Sequence, residues 1–217
     1  MPTPPRRPTP PSRSLERVLL RHGAASRAEA RALVLARRVR VDGRVVADPS
    51  AAVRDGARIE IDGADARPIE RVAIALHKPA GCVTTARDPE GRPTVFDHLA
   101  DAPRGLRAVG RLDLDTSGLL VLTNDTRLAD RIADPRSRIP KTYELRTRSK
   151  LSDAQLARLC DGVELADGPA RALSVERCAG PERGRWIALA IDEGRNREVR
   201  RMIHAVGGEV RELVRVA

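Results

Sequence analysis

Cysteine is scarce and spaced for neither of its usual structural uses. Cys82, Cys160 and Cys178 form no C-x-x-C pair, and an odd count argues against a disulfide framework. His22, His77, His98 and His204 are scattered, without the close His or Cys spacing of a zinc site, so no structural metal is expected. A reducing cytoplasm fits this usage. No apolar stretch approaches the roughly 20 residues needed to span a bilayer, which excludes a membrane partner. The first 13 residues, MPTPPRRPTPPSR, lack the apolar centre of a signal peptide and are too proline-rich to fold, so residues 1–13 read as a disordered basic arm. Lysine is rare too: Lys78, Lys141 and Lys150 are the only ones, and the net charge of +10 rests on arginine.

What is present follows from that arginine. Its planar fork matches phosphate and stacks on bases, which favours a polyanionic partner and places nucleic acid first among partner classes. A general preference for Arg and Ala is the rival explanation. With 217 residues and 41% hydrophobic content, the chain can bury at least one good core in one large or two unequal domains.

Residues 14–63 read as a small separate unit. Leu15, Val18 and Leu19 lie at helical spacing, Gly23 ends that helix, and Ser26-Arg27-Ala28-Glu29 is a capping-box pattern opening the next. Arg27 and Arg31 share one face of this second helix, opposite Ala30, Leu33 and Val34. Valines then alternate with Arg38 and Arg40 as in a half-exposed strand, Asp42-Gly43 supplies a hairpin turn, and Arg58 to Asp62 forms a closing strand. Met1 to Gly63 holds 13 Arg against 7 Asp plus Glu, a net +6, so more than half of the chain's charge lies in under a third of its length. Arginines along one helix face and the following hairpin can grip phosphates on adjacent backbone turns, although a solvated face has the same pattern. The runs Gly23-Ala24-Ala25-Ser26-Arg27-Ala28-Glu29-Ala30 and Arg38-Val39-Arg40-Val41-Asp42-Gly43 resemble the S4-like RNA-binding domain of a small-subunit ribosomal protein. That resemblance implies a module that docks RNA and does no chemistry.

Residues 64–71 read as a polar linker, and residues 72–217 as a second domain. Val72 to Leu76 suggests a buried strand, ending in the loop His77-Lys78-Pro79-Ala80-Gly81, where Lys78 can meet phosphate or simply be exposed. Further on come a short helix around Leu128 to Ile132, a strand from Lys141 to Thr147, and a helix opened by Ser152-Asp153-Ala154-Gln155. Strands near Ala172 to Arg177 and Trp186 to Asp192 follow, the second with Ile187, Leu189 and Ile191 on one face. A helix from Asn196 to Ala205 and a strand from Glu209 to Val216 close the chain. The order predicts an α+β fold with a mixed, mainly antiparallel sheet and flanking helices.

Three places can carry chemistry. Gly110-Arg111-Leu112-Asp113-Leu114-Asp115-Thr116-Ser117-Gly118 sets carboxylates beside glycine-bounded turns before an apolar run, which makes either a capped turn or a working site. Tyr143 is the only tyrosine among three aromatic residues. Arg195, Arg197, Arg200 and Arg201 crowd one helix start, and at helical spacing 197, 200 and 201 share a face. Such cations need an anion, which can be RNA phosphate, a carboxylate such as Asp113, or both. A surface ion-pair network with Glu193 and Glu198 is the alternative.

Taken together, the Gly110 to Asp125 run, Lys141-Thr142-Tyr143, and Glu193-Gly194-Arg195-Asn196-Arg197-Glu198-Val199-Arg200-Arg201-Met202 are similar in order and spacing to a bacterial ribosomal-RNA pseudouridine synthase family. His77 to Gly81 and Asp88 to Val95 resemble it as well, and within the family the large-subunit type B enzymes look closest. The resemblance implies isomerisation of a uridine in ribosomal RNA, a reaction that needs no cofactor; a structured helix-loop target, naked or in an assembling subunit, suits a two-domain reader, and a monomer is the default expectation. It implies that Asp113 is the catalytic carboxylate, with Asp115 a supporting turn residue. Tyr143 would pack on the uracil, Arg200 would pair with Asp113, and Arg111 would contact phosphate or displace a base. Thr126 departs from a usual glycine, which predicts a tightened turn, and Glu198 from a common glutamine, which predicts extra negative charge near Asp113. Family members usually continue past Val216 with an apolar, glycine-containing segment, so either the C-terminal tail of this sequence is short or the final sheet edge is built differently. Two other readings remain open: an RNA-binding ribosome-assembly factor with impaired catalysis, and a glycosidase using Asp113 and Asp115 as paired carboxylates.

Overall fold

The computed structural model describes residues 12–24, 26–103, 105–178 and 185–217, so the expected arm lies almost wholly outside the described residues. Two compact units form, Met1–Val72 with Pro103–Leu106 and Ala73–Ala102 with Arg107–Ala217.

The first unit contains β1 (Ser12–Ser14), α1 (Leu15–Arg21), α2 (Arg27–Leu35), β2 (Val39–Val41), β3 (Arg44–Val45), β4 (Ala52–Arg54), β5 (Ile59–Ile61) and β6 (Ala64–Asp65). The Ser26 hydroxyl accepts the Glu29 N–H at 3.1 Å and caps α2. Ala30 and Val34 then face a core with Leu15, Leu19, Val39 and Ile59, while Arg27 and Arg31 point outward. Asp42 (φ 49°) and Gly43 (φ 78°) both take the left-handed backbone that a two-residue type I′ hairpin requires. Asp62 (φ 53°) and Gly63 (φ 80°) repeat the device, pairing Ile61 with Ala64. The stretch expected to be a linker therefore begins as β6, and the Ile69 N–H returns to the Arg21 carbonyl at 2.8 Å. Ser12 and Arg13, assigned by sequence to the arm, pair with β4 instead; they follow the last proline of that stretch and so have N–H groups to donate.

The second unit contains β7 (Ala73–Lys78), β8 (Arg107–Ala108), β9 (Ser117–Thr123), α3 (Thr126–Ala133), β10 (Lys141–Thr147), α4 (Asp153–Asp161), β11 (Val163–Leu165), β12 (Gly168–Ala170), β13 (Ser174–Arg177), β14 (Trp186–Ile191), α5 (Glu198–Ala205) and β15 (Val210–Arg215). Its sheet runs β13-β14-β10-β15-β9-β7, with β8 also on β9. Only the β15–β9 pair is parallel, so the sheet is mixed and mainly antiparallel as expected. Ile187, Leu189 and Ile191 are at most 2% exposed and pack with Leu145, Leu159, Met202 and Ile203. The expectation of a buried first strand fails: β7 is an edge strand whose Ala73, Ala75 and His77 are exposed, because its apolar look comes partly from small alanines.

Gly118 joins the two halves of this sheet. Its φ is +104°, and a Cβ there would lie 2.1 Å from the Arg215 carbonyl oxygen, so only glycine lets β9 and β15 approach. Thr126 opens α3 without a positive φ, and Asp125 caps the helix by accepting the Arg127 N–H at 2.9 Å, so the glycine usual at 126 is not required. The β11–β12 hairpin went unpredicted because strands of three residues are too short to show alternation.

Candidate active site

The loop from Gly110 to Thr116 is held almost entirely through its backbone. Gly110 takes φ +75°, and the Thr116 N–H closes a turn on the Asp113 carbonyl at 3.1 Å. Thr84 brackets Leu112, donating to its carbonyl at 2.8 Å and accepting its N–H at 3.2 Å, while the Gly81 N–H reaches the Leu114 carbonyl at 2.7 Å. Lys78 completes the clamp. It is fully buried, and its Nζ donates to the carbonyls of Thr116 at 2.7 Å, Asp113 at 3.0 Å and Pro79 at 3.1 Å. With the Leu114 carbonyl at 3.5 Å as well, four carbonyl oxygens satisfy the three N–H groups of the ammonium. Burial pulls its pKa down, opposed by Cys82, Asp113 and Asp115. The expectation that Lys78 meets RNA phosphate is thereby corrected: a cation without solvent exposure holds the loop from below.

Across from this loop lies the start of α5. Arg197 is not on the helix but at its N-cap, in the left-handed conformation (φ 48°, ψ 32°), so helical spacing does not put it on one face with 200 and 201. The kink turns its guanidinium onto Asp115, at 3.2 and 3.3 Å, with Asp113 Oδ2 at 3.7 Å. Arg200 also goes to Asp115, donating to its carbonyl at 3.0 Å and lying 3.1 Å from its carboxylate. The implied Arg200–Asp113 pair is therefore replaced by Arg200–Asp115, and Asp115 is the anchor between loop and helix. Burial alone would raise the Asp115 pKa, but the Arg197 hydrogen bond and the charges of Arg200 and Arg197 hold it below the ordinary value. The Asp113 carboxylate keeps, among the described residues, only the long contact to Arg197 and is left with its side chain 29% exposed.

Arg195 and Arg201 are committed elsewhere. The Glu198 carboxylate, 4% exposed as a residue, accepts the Arg195 N–H at 2.9 Å and its Nε at 3.2 Å. The remaining Arg195 donors reach the carbonyls of Gly168 at 3.2 Å and Pro169 at 2.7 Å, in the β11–β12 hairpin. Arg201 makes a two-pronged bond to Asp167 at 2.8 and 2.9 Å. Arg195 was expected to bind RNA, but its donors are occupied within the protein. The acidic-network alternative describes Arg195 and Arg201, whereas Arg197 and Arg200 serve the Asp113 loop. The charge that Glu198 adds is neutralised by Arg195 rather than imposed on Asp113.

These walls enclose a cavity of about 370 Å³ lined by Arg111, Asp113, Thr116, Tyr143, Asn196 and Arg197, among others. That volume suits a small-molecule fragment such as one nucleoside. Tyr143 sits in the middle of the sheet, paired with Leu189 on one side and Arg215 on the other, and burial raises its pKa. Arg111 is exposed and makes no hydrogen bond or ion pair with the described residues. Sequence reading missed Asp115 as an anchor, and also Thr84 and Asp167; the two-residue spacing of Asp113 and Asp115 was the only available signal for the first. In the other unit, Arg27 and Arg31 are exposed without a described partner, Arg38 forks Asp62 at 2.7 and 2.6 Å, and Arg40 reaches the Gly43 carbonyl at 3.3 Å. Among the described residues, no group of three or more His, Cys, Asp or Glu could hold a metal ion, and no helix is long and apolar enough to cross a membrane.

A mixed sheet presents a clamped carboxylate loop to a cationic cavity, in a chain with a separate arginine-faced unit. The sequence profile of RNA pseudouridylate synthases matches residues 72–205, and that of the S4 domain matches residues 13–59. The chain belongs to the RNA pseudouridine synthase family, whose members isomerise uridine in RNA to pseudouridine. It is 42% identical over 214 residues to ribosomal large subunit pseudouridine synthase B of Escherichia coli (strain K12), covering 94% of this chain and 73% of that protein. The Salmonella typhi protein of the same name matches equally, at 42% over the same shares of both chains. A crystal structure of a pseudouridylate synthase superimposes with a TM-score of 0.63 at 27% identity, over 94% of this chain and 87% of that one.

Proposed function

We propose that the substrate is a uridine in a structured helix-loop of large-subunit ribosomal RNA, and that Asp113 is the catalytic carboxylate. The observation that carries this reading is the division of labour between two neighbouring carboxylates. Asp115 is taken up by Arg197 and Arg200, while Asp113, on the same clamped loop, lines the cavity beside Tyr143. The reaction breaks the N1–C1′ bond, turns the uracil and joins C5 to C1′; the proton lost from C5 is balanced by one gained at N1. No redox change and no external group enter, so the chain's own residues suffice. Asp113 acts on the sugar side, as a nucleophile at C1′ or as a base. Tyr143 packs its ring on the uracil, and its raised pKa keeps the hydroxyl protonated for proton transfer at neutral pH. Arg200 works through Asp115, holding the loop in register with α5. Arg197, like Arg200, is held on Asp115, so Arg111 faces the RNA backbone, and Arg27, Arg31, Arg38 and Arg40 supply affinity in the first unit. The enzyme works as a monomer in the cytoplasm.

The test is to incubate the protein with large-subunit ribosomal RNA transcripts and map pseudouridine by chemical adduct and primer extension. Wild type should create a stop at a defined uridine, and Asp113→Asn should create none. Equal stops with the variant would remove Asp113 from catalysis. Salt-sensitive binding without any stop would point to an RNA-binding assembly factor instead.

A further inference from the structure

A second cleft, of about 600 Å³, lies beside the first and shares Gly110, Arg111, Tyr143, Gly194 and Arg195 with it. Its lining is of two kinds. Val109, Ile132, Ala133 and Pro135 form an apolar part, and seven of its sixteen lining residues are Arg or Lys against two that are acidic. Of those two, Glu193 is already matched by Arg195 Nε at 2.9 Å, which leaves the Asp192 carboxylate, among the described residues, as the single unmatched acid against the cations of the lining. Arg138 and Arg171, in contrast, have no side-chain partner among the described residues, and both are exposed. Together with Arg111, three guanidiniums without partners among the described residues therefore border one cleft. Unmatched guanidiniums converging on a partly apolar hollow fit a ligand that is flat and apolar in one part and anionic in another. A nucleotide has that character.

We infer that this cleft is a second nucleotide subsite, holding an unstacked neighbour of the target uridine on the same RNA strand; this rests on the synthase reading above. The base lies against Ile132, Ala133 and Pro135. Arg111 borders both cavities, which places it at the phosphodiester joining the two nucleotides, and Arg138 and Arg171 take the next phosphate along the strand. The enzyme thus opens the loop at two nucleotides, and selects its uridine partly through the neighbour, since a target whose neighbour cannot leave its stack leaves the cleft empty.

The experiment uses the full-length protein and a fragment of large-subunit ribosomal RNA carrying the mapped uridine, made intact and with an abasic residue at the nucleotide before or after it. Wild type should bind one of the two abasic RNAs about tenfold more weakly than the intact RNA. Ala133→Trp, an exposed position at the end of α3, fills the cleft and should bind all three RNAs alike. Arg138→Ala and Arg171→Ala should each lower the salt dependence of binding by about one unit of slope. The inference is overturned if wild type binds all three RNAs equally, if Ala133→Trp keeps the tenfold loss, or if both arginine variants keep the full slope. Conversion of the intact RNA is scored in parallel: conversion with indifference to the abasic residues removes the subsite alone, whereas absence of conversion removes the synthase reading and the subsite with it.

Discussion

Arg27 and Arg31, on the outward face of α2, and Arg195 and Arg201, flanking the start of α5, are the same side chain in opposite surroundings. The first two stand in solvent without described partners. The second two are committed to Glu198, Asp167 and hairpin carbonyls. An exposed guanidinium keeps its hydration until a phosphate replaces it, so it adds affinity and on-rate. One drawn into the protein loses water and must be matched by carboxylates and carbonyls, which converts charge into positional rigidity. Arginine content therefore reports RNA affinity only for the exposed population. Among the engaged population, Arg195 and Arg201 fix α5 to the β11–β12 hairpin, and Arg197 and Arg200 fix the Asp113 loop to the start of α5.

Breaking that rigidity should have the largest effects. Gly118→Ala forces a Cβ onto the Arg215 backbone at a position with φ +104°, and should cost about 3 kcal/mol or more in denaturant unfolding. Arg200→Ala removes one of the two arginines that tie Asp115 to the start of α5 and should lower kcat, read at saturating RNA, by about a hundredfold with KM changed little. Substituting the exposed population acts differently. Arg27→Ala with Arg31→Ala should raise KM several-fold, leave kcat unchanged and flatten the salt dependence of binding by up to about two units of slope. Arg38→Ala should do less, because its guanidinium must first leave Asp62. The smallest effect concerns pH. Asp115 has a folded pKa held below its unfolded value near about 3.9, so its contribution to stability is present above that value and is lost as pH falls through the folded pKa. The stability difference between wild type and Asp115→Asn should hold steady above about pH 4 and shrink on further acidification.

Local features were legible before any coordinates. The Asp42-Gly43 turn, the Ser152–Gln155 capping box and the strand Lys141–Thr147 depend on neighbours within a few residues, and each forms as read. The resemblance groups the Gly110–Gly118 motif with Tyr143, and of these Gly110 to Asp113, Thr116 and Tyr143 line one cavity. What escaped depends on distant backbone. The donors on Lys78 are filled by carbonyls up to 38 residues away, which no local pattern announces. Helical spacing put Arg197 on one face with Arg200 and Arg201, but Arg197 leaves helical geometry at the N-cap. The Arg200–Asp113 pair implied by the resemblance gives way to Arg200–Asp115 through a loop backbone that no local pattern describes. A residue's type showed that it carries charge; only packing showed whether that charge faces water.

The division between docking and chemistry is tested most directly by measuring, for each protein, RNA affinity and the single-turnover rate at saturating RNA. Asp113→Asn should bind within about twofold of wild type and show no conversion, since its side chain makes one long internal contact and supplies no affinity. The Arg27→Ala, Arg31→Ala double variant should bind about tenfold more weakly and convert at the wild-type rate once saturated. A double variant that binds normally but converts slowly, or an Asp113→Asn protein that still converts, would contradict the division.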